Sequence, residues 1–314
     1  MQVNQDAADT VPLQPNEGLP LPQPGPEMVY NRNPDVDPEE PAVNRSDLEA
    51  LEYKTCDQPG YAVVINNRAF NGRGLHDRSG TDRDASNLIN RFDEFGYHTV
   101  HLVDMSKEEL MAELRRIASL DHKDHSAFFC AILTHGNKDG LWATDSQMKL
   151  TDLTDIFDAE NCQTLLNKPK VFIVQACRGD EEGKPVVIRV LNEDRVVADA
   201  LPNEPVDMEI PEEPVEPTSV DILTIPANMD FLFIHATVEG KKAWRNTASG
   251  TPFIGKFCDE LQTLLNGQGQ VDIYTLLNCV NREVALKFQA QEGGKQMPCF
   301  VSTLTKTFKL KVPQ

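Results

Sequence analysis

Short apolar runs bounded by turn residues alternate with segments of helical spacing, and this alternation restricts the chain more than any other feature. Residues 61–66, 99–103, 127–133, 171–174 and 231–234 each read as a buried strand. Between them, residues 82–95 carry Leu88, Ile89, Phe92 and Phe95 at helical spacing. Ser106 stands three positions before Glu109, a capping-box signal ahead of Leu110, Leu114 and Ile117. Residues 150–166 also read as helical. Two further helices are expected at 253–265 and 272–288, the second with Ile273, Leu276, Val280, Val284 and Phe288 on one face. A sixth strand is expected over 300–312, where Phe300, Leu304, Phe308, Leu310 and Val312 recur. The pattern predicts an α/β fold: one domain with a central, mostly parallel six-stranded sheet and helices on both faces.

The chain has 314 residues, 40% of them hydrophobic, enough to bury one large core. Its formal net charge is −19, which argues against a nucleic-acid binder, since that needs a basic face. No apolar run approaches the roughly 20 residues that span a bilayer, and no membrane partner is expected. Residues 1–26 lack the basic start and apolar centre of a secretory signal. The seven cysteines are odd in number, widely spaced and without a C-x-x-C pair, which predicts a reduced, cytoplasmic chain with no disulfide framework and no zinc cage.

The acidity is concentrated. Residues 1–50 hold ten Asp/Glu against two Lys/Arg, and residues 191–221 hold ten against one. Both stretches are also rich in proline, which removes a backbone donor while the charge opposes collapse. They read as exposed and largely disordered: a leader over 1–52 and a linker over 191–223, flanking portions at 53–190 and 224–314.

Two strand ends carry the chemistry. The 127–133 run leads into Thr134-His135-Gly136, and the 171–174 run into Gln175-Ala176-Cys177-Arg178-Gly179-Asp180. In a parallel sheet, reactive groups gather at the carboxyl ends of the strands. Neighbouring strands would therefore set His135 beside Cys177. A thiol reacts as its thiolate, and an adjacent imidazole can take that proton and later protonate a leaving amine. Gly136 permits close approach of backbone, so its N–H and that of Cys177 can form an oxyanion hole.

Gln175-Ala176-Cys177-Arg178-Gly179, with His135 lying 42 residues upstream of Cys177, resembles the caspase signature. The resemblance runs from Tyr61 to Lys309 and includes Arg78-Ser79-Gly80-Thr81-Asp82, Trp244-Arg245-Asn246 and Lys295-Gln296-Met297-Pro298. It implies a cysteine endopeptidase that cuts after aspartate, needs no metal or organic cofactor, and takes proteins with exposed Asp as substrates. It also implies that Arg78, Gln175 and Arg245 form the pocket for the aspartate. Paired guanidinium forks suit one carboxylate, and an uncharged isostere would leave both unpaired.

The resemblance further implies a zymogen cut within the linker by an upstream protease, with Asp199 the best site, then Asp207, and with Asp194 and Asp221 as further candidates. The short leader implies an executioner acting in apoptosis; an initiator-like enzyme with a reduced leader and a catalytically silent regulatory partner are the alternatives. Pairing of two copies through the C-terminal strand is implied as well. The outer subsites, assigned by resemblance to Lys242, Trp244 and Asn246, depart from the family. Lys242 stands where executioners carry an aromatic residue, Pro252 replaces an indole, and the loop from Phe288 to Gln296 is short. Lys241 and Lys242 are expected to favour acidic side chains in these subsites.

Overall fold

The structure is a computed structural model that describes residues 43–70, 74–186 and 224–312, together with two short strands at Asn31–Arg32 and Asp221–Ile222. These two strands pair antiparallel, Arg32 opposite Asp221, and form a small unit by themselves.

The main unit is built on one six-stranded sheet. Its strands are β1 (Tyr61–Asn66), β2 (His98–Val103), β3 (Phe128–Leu133), β4 (Lys170–Gln175), β5 (Phe231–His235) and β6 (Cys299–Ser302), in the spatial order β6-β5-β4-β3-β1-β2. All neighbours run parallel except β6, which pairs antiparallel with β5 at the edge. The predicted fold class therefore holds.

Successive side chains of a strand point to opposite faces, and the apolar runs feed two separate cores. Ala62, Val64, Phe129, Ala131, Val171 and Ile173 enter one. That face is covered by α1 (Thr81–Glu94), α3 (Pro252–Gln268) and α4 (Ile273–Lys287) through Leu88, Phe257, Leu276 and Val280. Val63, Ile65, Phe128, Cys130, Ile132 and Phe172 enter the other, beneath α2 (Lys107–Ala118) and the Leu153–Phe157 turns. Leu110, Leu114 and Ile117 of α2 are fully buried, and each such side chain contributes about 1.5–3 kcal/mol. The start of α2 is set as the sequence suggests, and side chains also cap α3 and α4. Ser106 and Glu109 form the capping box of α2, Thr251 accepts from the N–H of Ile254 with Pro252 in the first turn of α3, and Asp272 accepts from Thr275 at α4.

Three expectations are corrected. Residues 150–166 are not one helix: Leu150–Thr154 is a short α-helix followed by a 3-10 turn, and the Asp158 carboxylate then accepts from the N–H groups of Glu160 and Asn161, closing a tight turn. Residues 300–312 are not one strand. The hydroxyl of Thr303 takes the N–H of Phe231, ending the ladder, and Lys309–Lys311 pairs instead with Gln270–Asp272. Residues 43–52, assigned above to the leader, are ordered against the main unit. The carbonyl of Asp47 accepts from Asn167 and the buried Lys306, giving that ammonium a partner, and Glu52 pairs with Lys309. Asp194, Asp199 and Asp207 lie outside the described residues.

Candidate active site

The register Leu133↔Gln175 between β3 and β4 brings the two reactive segments level at the carboxyl ends of the strands. A Cβ on Gly136 would lie 2.5 Å from the carbonyl oxygen of Cys177 and 3.1 Å from the Cβ of Ala176. Only glycine lets this backbone rest against the strand bearing the cysteine. His135 and Cys177 thus stand on adjoining segments, as their positions predicted.

The imidazole is oriented by a group that the sequence did not reveal. Nε2 of His135 lies 2.7 Å from the backbone oxygen of His76, and Phe70 packs on the ring with centroids 4.8 Å apart. A carbonyl can only accept, so Nε2 carries the hydrogen and Nδ1 keeps its lone pair. Burial lowers the basicity of His135, the nearby Arg78 and Arg245 push the same way, and the contact with His76 opposes them. The Cys177 thiol hydrogen-bonds to Ala243, with its Sγ 3.4 Å from the N–H nitrogen and 3.7 Å from the oxygen, and not to His135.

Arg78 follows β1 and is 2% exposed. One of its guanidinium nitrogens donates to the Asn67 carbonyl at 3.1 Å and to the Thr81 hydroxyl at 2.8 Å. Burial, and then the charge of Arg245, push Arg78 down to about 9, still cationic at neutral pH. Arg245, in the segment following β5, is likewise lowered by burial. Nε of Arg245 and Oε1 of Gln175 are buried, and among the described residues neither has a hydrogen-bond partner. The Nε–H of Arg245 therefore keeps its hydrogen-bonding capacity for an incoming acceptor.

Asp84 of α1 is a second residue that the sequence reading missed. It is buried, and its carboxylate oxygens accept from the N–H of Thr251 at 2.9 and 3.1 Å. Desolvation raises it to about 6, against the pull of Thr251, Arg78 and Arg245. Its position on α1 was visible, but contact with Thr251 spans 167 positions.

Lys242, Trp244, Asn246, Pro252 and Phe288 line a groove of about 630 Å³ beside Arg245. The Trp244 and Phe288 rings lie 6.4 Å apart. Both lysines expected to attract acidic side chains already have partners: Lys241 pairs with Glu181 at 2.6 Å and Lys242 with Glu182 at 3.3 Å. A second hollow of about 680 Å³, lined by Pro59, Tyr97 and Ser126, opens at the opposite end of the strands, away from His135 and Cys177. Among the described residues no cluster of His, Cys, Asp or Glu is arranged to hold a metal, and no helix is long and apolar enough to cross a membrane.

Residues 59–309 match the caspase domain. Caspase-3 of Xenopus laevis is 34% identical over 279 residues, covering 85% of this chain and 89% of the relative. Caspase-6 of Rattus norvegicus is 33% identical over 276 residues, covering 84% and 93%. The crystal structure of caspase-1 from Spodoptera frugiperda superposes with a TM-score of 0.70 at 29% identity, over 86% of this chain and 97% of that one. A domain match across the whole sheet, agreement in sequence with several curated relatives and the shared architecture lead to one conclusion: the chain is a cysteine-type endopeptidase and belongs to the caspase family.

Proposed function

We propose that the enzyme cleaves peptide bonds after aspartate, with Cys177 as nucleophile, His135 as proton carrier, and Arg78, Gln175 and Arg245 as the pocket for the aspartate. The observation that carries this reading is the buried Nε–H of Arg245, a donor with no hydrogen-bond partner among the described residues, in a segment whose Ala243 touches the Cys177 sulfur. Two guanidinium groups, Arg78 buried and Arg245 half-buried, favour a carboxylate over a neutral side chain.

Nδ1 of His135, the nitrogen left free by the His76 contact, accepts the thiol proton. The thiolate attacks the carbonyl carbon, forming the C–S bond, and the oxyanion takes the N–H groups of Gly136 and Cys177. Collapse breaks the C–N bond while the imidazolium returns the proton to the leaving amine, leaving an acyl-thioester. Water then attacks the thioester, giving a proton to His135. Cleavage of the C–S bond releases the acid, and the proton passes back to the sulfur. The thiol's contact with Ala243 must yield first, as often happens when apo hydrogen bonds rearrange on substrate binding.

The finer role follows the family. The enzyme is a cytoplasmic zymogen of executioner type acting in apoptosis, activated by an upstream protease at linker aspartates, and working as a homodimer through the edge strand β6. The exposure of that strand supports the last point: Val301 is 56% exposed and Phe300 half-buried.

The test uses fluorogenic peptides that differ only in ending in Asp, Asn or Glu, with Cys177→Ala as control. Cleavage of the Asp peptide alone, lost in Cys177→Ala, is expected. Equal cleavage of the Asn peptide would reject the aspartate pocket. Mass spectrometry of the matured protein should find a new terminus at Asp199, Asp207, Asp194 or Asp221.

A further inference from the structure

The Lys295-Gln296-Met297-Pro298 motif has so far no part in the chemistry, and its glutamine is 2% exposed. Its side chain makes two hydrogen bonds, both to backbone. Oε1 accepts from the N–H of Trp244 at 2.8 Å, and Nε2 donates to the carbonyl of Ala236 at 2.9 Å. Ala236 follows β5 directly, and its own N–H donates to Val174 of β4 at 3.0 Å, three residues before Cys177. Trp244 lies between Ala243, whose N–H and carbonyl hold the Cys177 sulfur, and Arg245 of the aspartate pocket. The segment bearing Gln296 is fixed on both sides, since Lys295 donates to the Gly183 carbonyl and Val238 donates to the Met297 carbonyl, at 3.0 and 3.1 Å.

We infer that Gln296 is a positioning residue: its amide spans from the sheet that carries the nucleophile to the segment 243–245, and so sets where Arg245 sits relative to Cys177 and with it the strictness of selection for aspartate. This rests on the reading of Arg78 and Arg245 as the aspartate pocket. One end of the span is a carbonyl and the other an N–H, so the bridging group must donate at one end and accept at the other. A primary amide of this length does both. A carboxylate would face the Ala236 carbonyl with no hydrogen, and a thioether would leave both backbone groups unpaired in a buried site.

Arg245 contacts the substrate's P1 side chain in both the bound and the transition state, so its displacement weakens both alike. That raises KM and leaves kcat nearly unchanged. It also erodes discrimination between side chains that differ by one methylene, because a loosened guanidinium can follow the longer carboxylate.

The experiment compares full-length wild type, Gln296→Met and Gln296→Glu with Leu110→Ala, a destabilising change in α2 on the opposite face of the sheet. Three quantities are measured: Tm, steady-state kinetics on peptides ending in Asp and in Glu, and hydrogen exchange of the Trp244 amide. Gln296→Met is expected to raise KM for the Asp peptide roughly tenfold or more, with kcat within about threefold, and to shrink the Asp-over-Glu ratio of kcat/KM by roughly tenfold. The Trp244 amide should lose protection. Leu110→Ala should lower Tm yet leave the Asp-over-Glu ratio unchanged. Gln296→Glu keeps the length and the acceptor, and serves if Gln296→Met does not fold. It should shrink the ratio while partly protecting Trp244. An unchanged ratio together with an unchanged exchange rate at Trp244 in the Gln296 variants would overturn the inference. Failure of wild type to prefer Asp would instead reject the proposed pocket, and the exchange at Trp244 would still decide whether the bridge exists.

Discussion

Nε2 of His135 rests 2.7 Å from the carbonyl oxygen of His76, so in the proposed Cys177–His135 pair a backbone group takes the place that an acidic side chain has in many catalytic triads. A neutral carbonyl orients the ring and fixes its tautomer. It offers the imidazolium less stabilisation than a carboxylate would, and it leaves burial as the dominant influence on His135.

The first prediction concerns pH. Burial holds the basicity of His135 below its usual 6.5, so the ring is neutral and competent as a base at neutral pH. Activity is lost only as the pH falls through that lowered value and the ring takes a proton. The pH profile of kcat/KM on an Asp peptide should show its acid limb below 6.5, and a limb at or above that value would contradict the assignment.

Asp84 supplies the second. Its folded-state value of about 6 lies above the ordinary 3.8, so the folded protein binds the proton more readily than the unfolded chain. The cost of the buried carboxylate is therefore present in full above about 6 and is relieved as the pH falls towards 4. Asp84→Asn keeps an oxygen for the Thr251 N–H and removes the charge. Relative to wild type, it should gain stability of about 1–3 kcal/mol at pH 7.5 and much less near pH 4.5. Thermal melts at the two pH values measure this, and a gap independent of pH would show that Asp84 is not the titrating group.

Gly250 carries the third. Its φ is +86°, and a Cβ there would strike Oδ1 of Asp84. Gly250→Ala should lose about 1–3 kcal/mol from backbone strain and collision together. In the background of Asp84→Ala the same change should cost less, because only the strain remains. Equal costs in the two backgrounds, read from chemical denaturation, would show that the collision is relieved elsewhere.

The fourth prediction is about the outer groove. Glu182 neutralises Lys242 at 3.3 Å, across a partly exposed pair. Glu182→Gln frees the ammonium, and peptide-library profiling should then show acidic residues enriched outside the P1 position by roughly two- to fivefold over wild type, in keeping with the modest strength of such pairs. An unaltered profile would mean that Lys242 does not reach the substrate.

Much of this was legible in the chain because burial writes itself as periodicity. The runs that became β1, β3 and β4 are apolar on both faces, as a sheet sandwiched between helices requires, and the Ser106–Glu109 cap marked the start of α2. The placements of His135 and Cys177 followed from strand ends and parallel pairing. What stayed hidden depends on long-range meetings that leave no local signal. The His76 contribution is a carbonyl, which every residue owns. Asp84 reads as an ordinary acidic residue in a helix's first turn, and Gln296 as a member of a motif without evident chemistry. The Thr303 hydroxyl ends a strand by substituting for one backbone bond, and no alternation of apolar residues could foretell that.

The neighbouring strands β4 and β5 come from opposite sides of the acidic stretch, yet they share five matched positions from Lys170↔Phe231 to Val174↔His235 in the middle of the sheet. A backbone break anywhere between 187 and 223 would therefore produce two polypeptides but not two bodies. The Cys177 sulfur would reside on one fragment and the Arg245 guanidinium on the other. Separating them would mean prising open the interior of the sheet, so a nick in that stretch changes the covalent topology while the sheet stays in one piece.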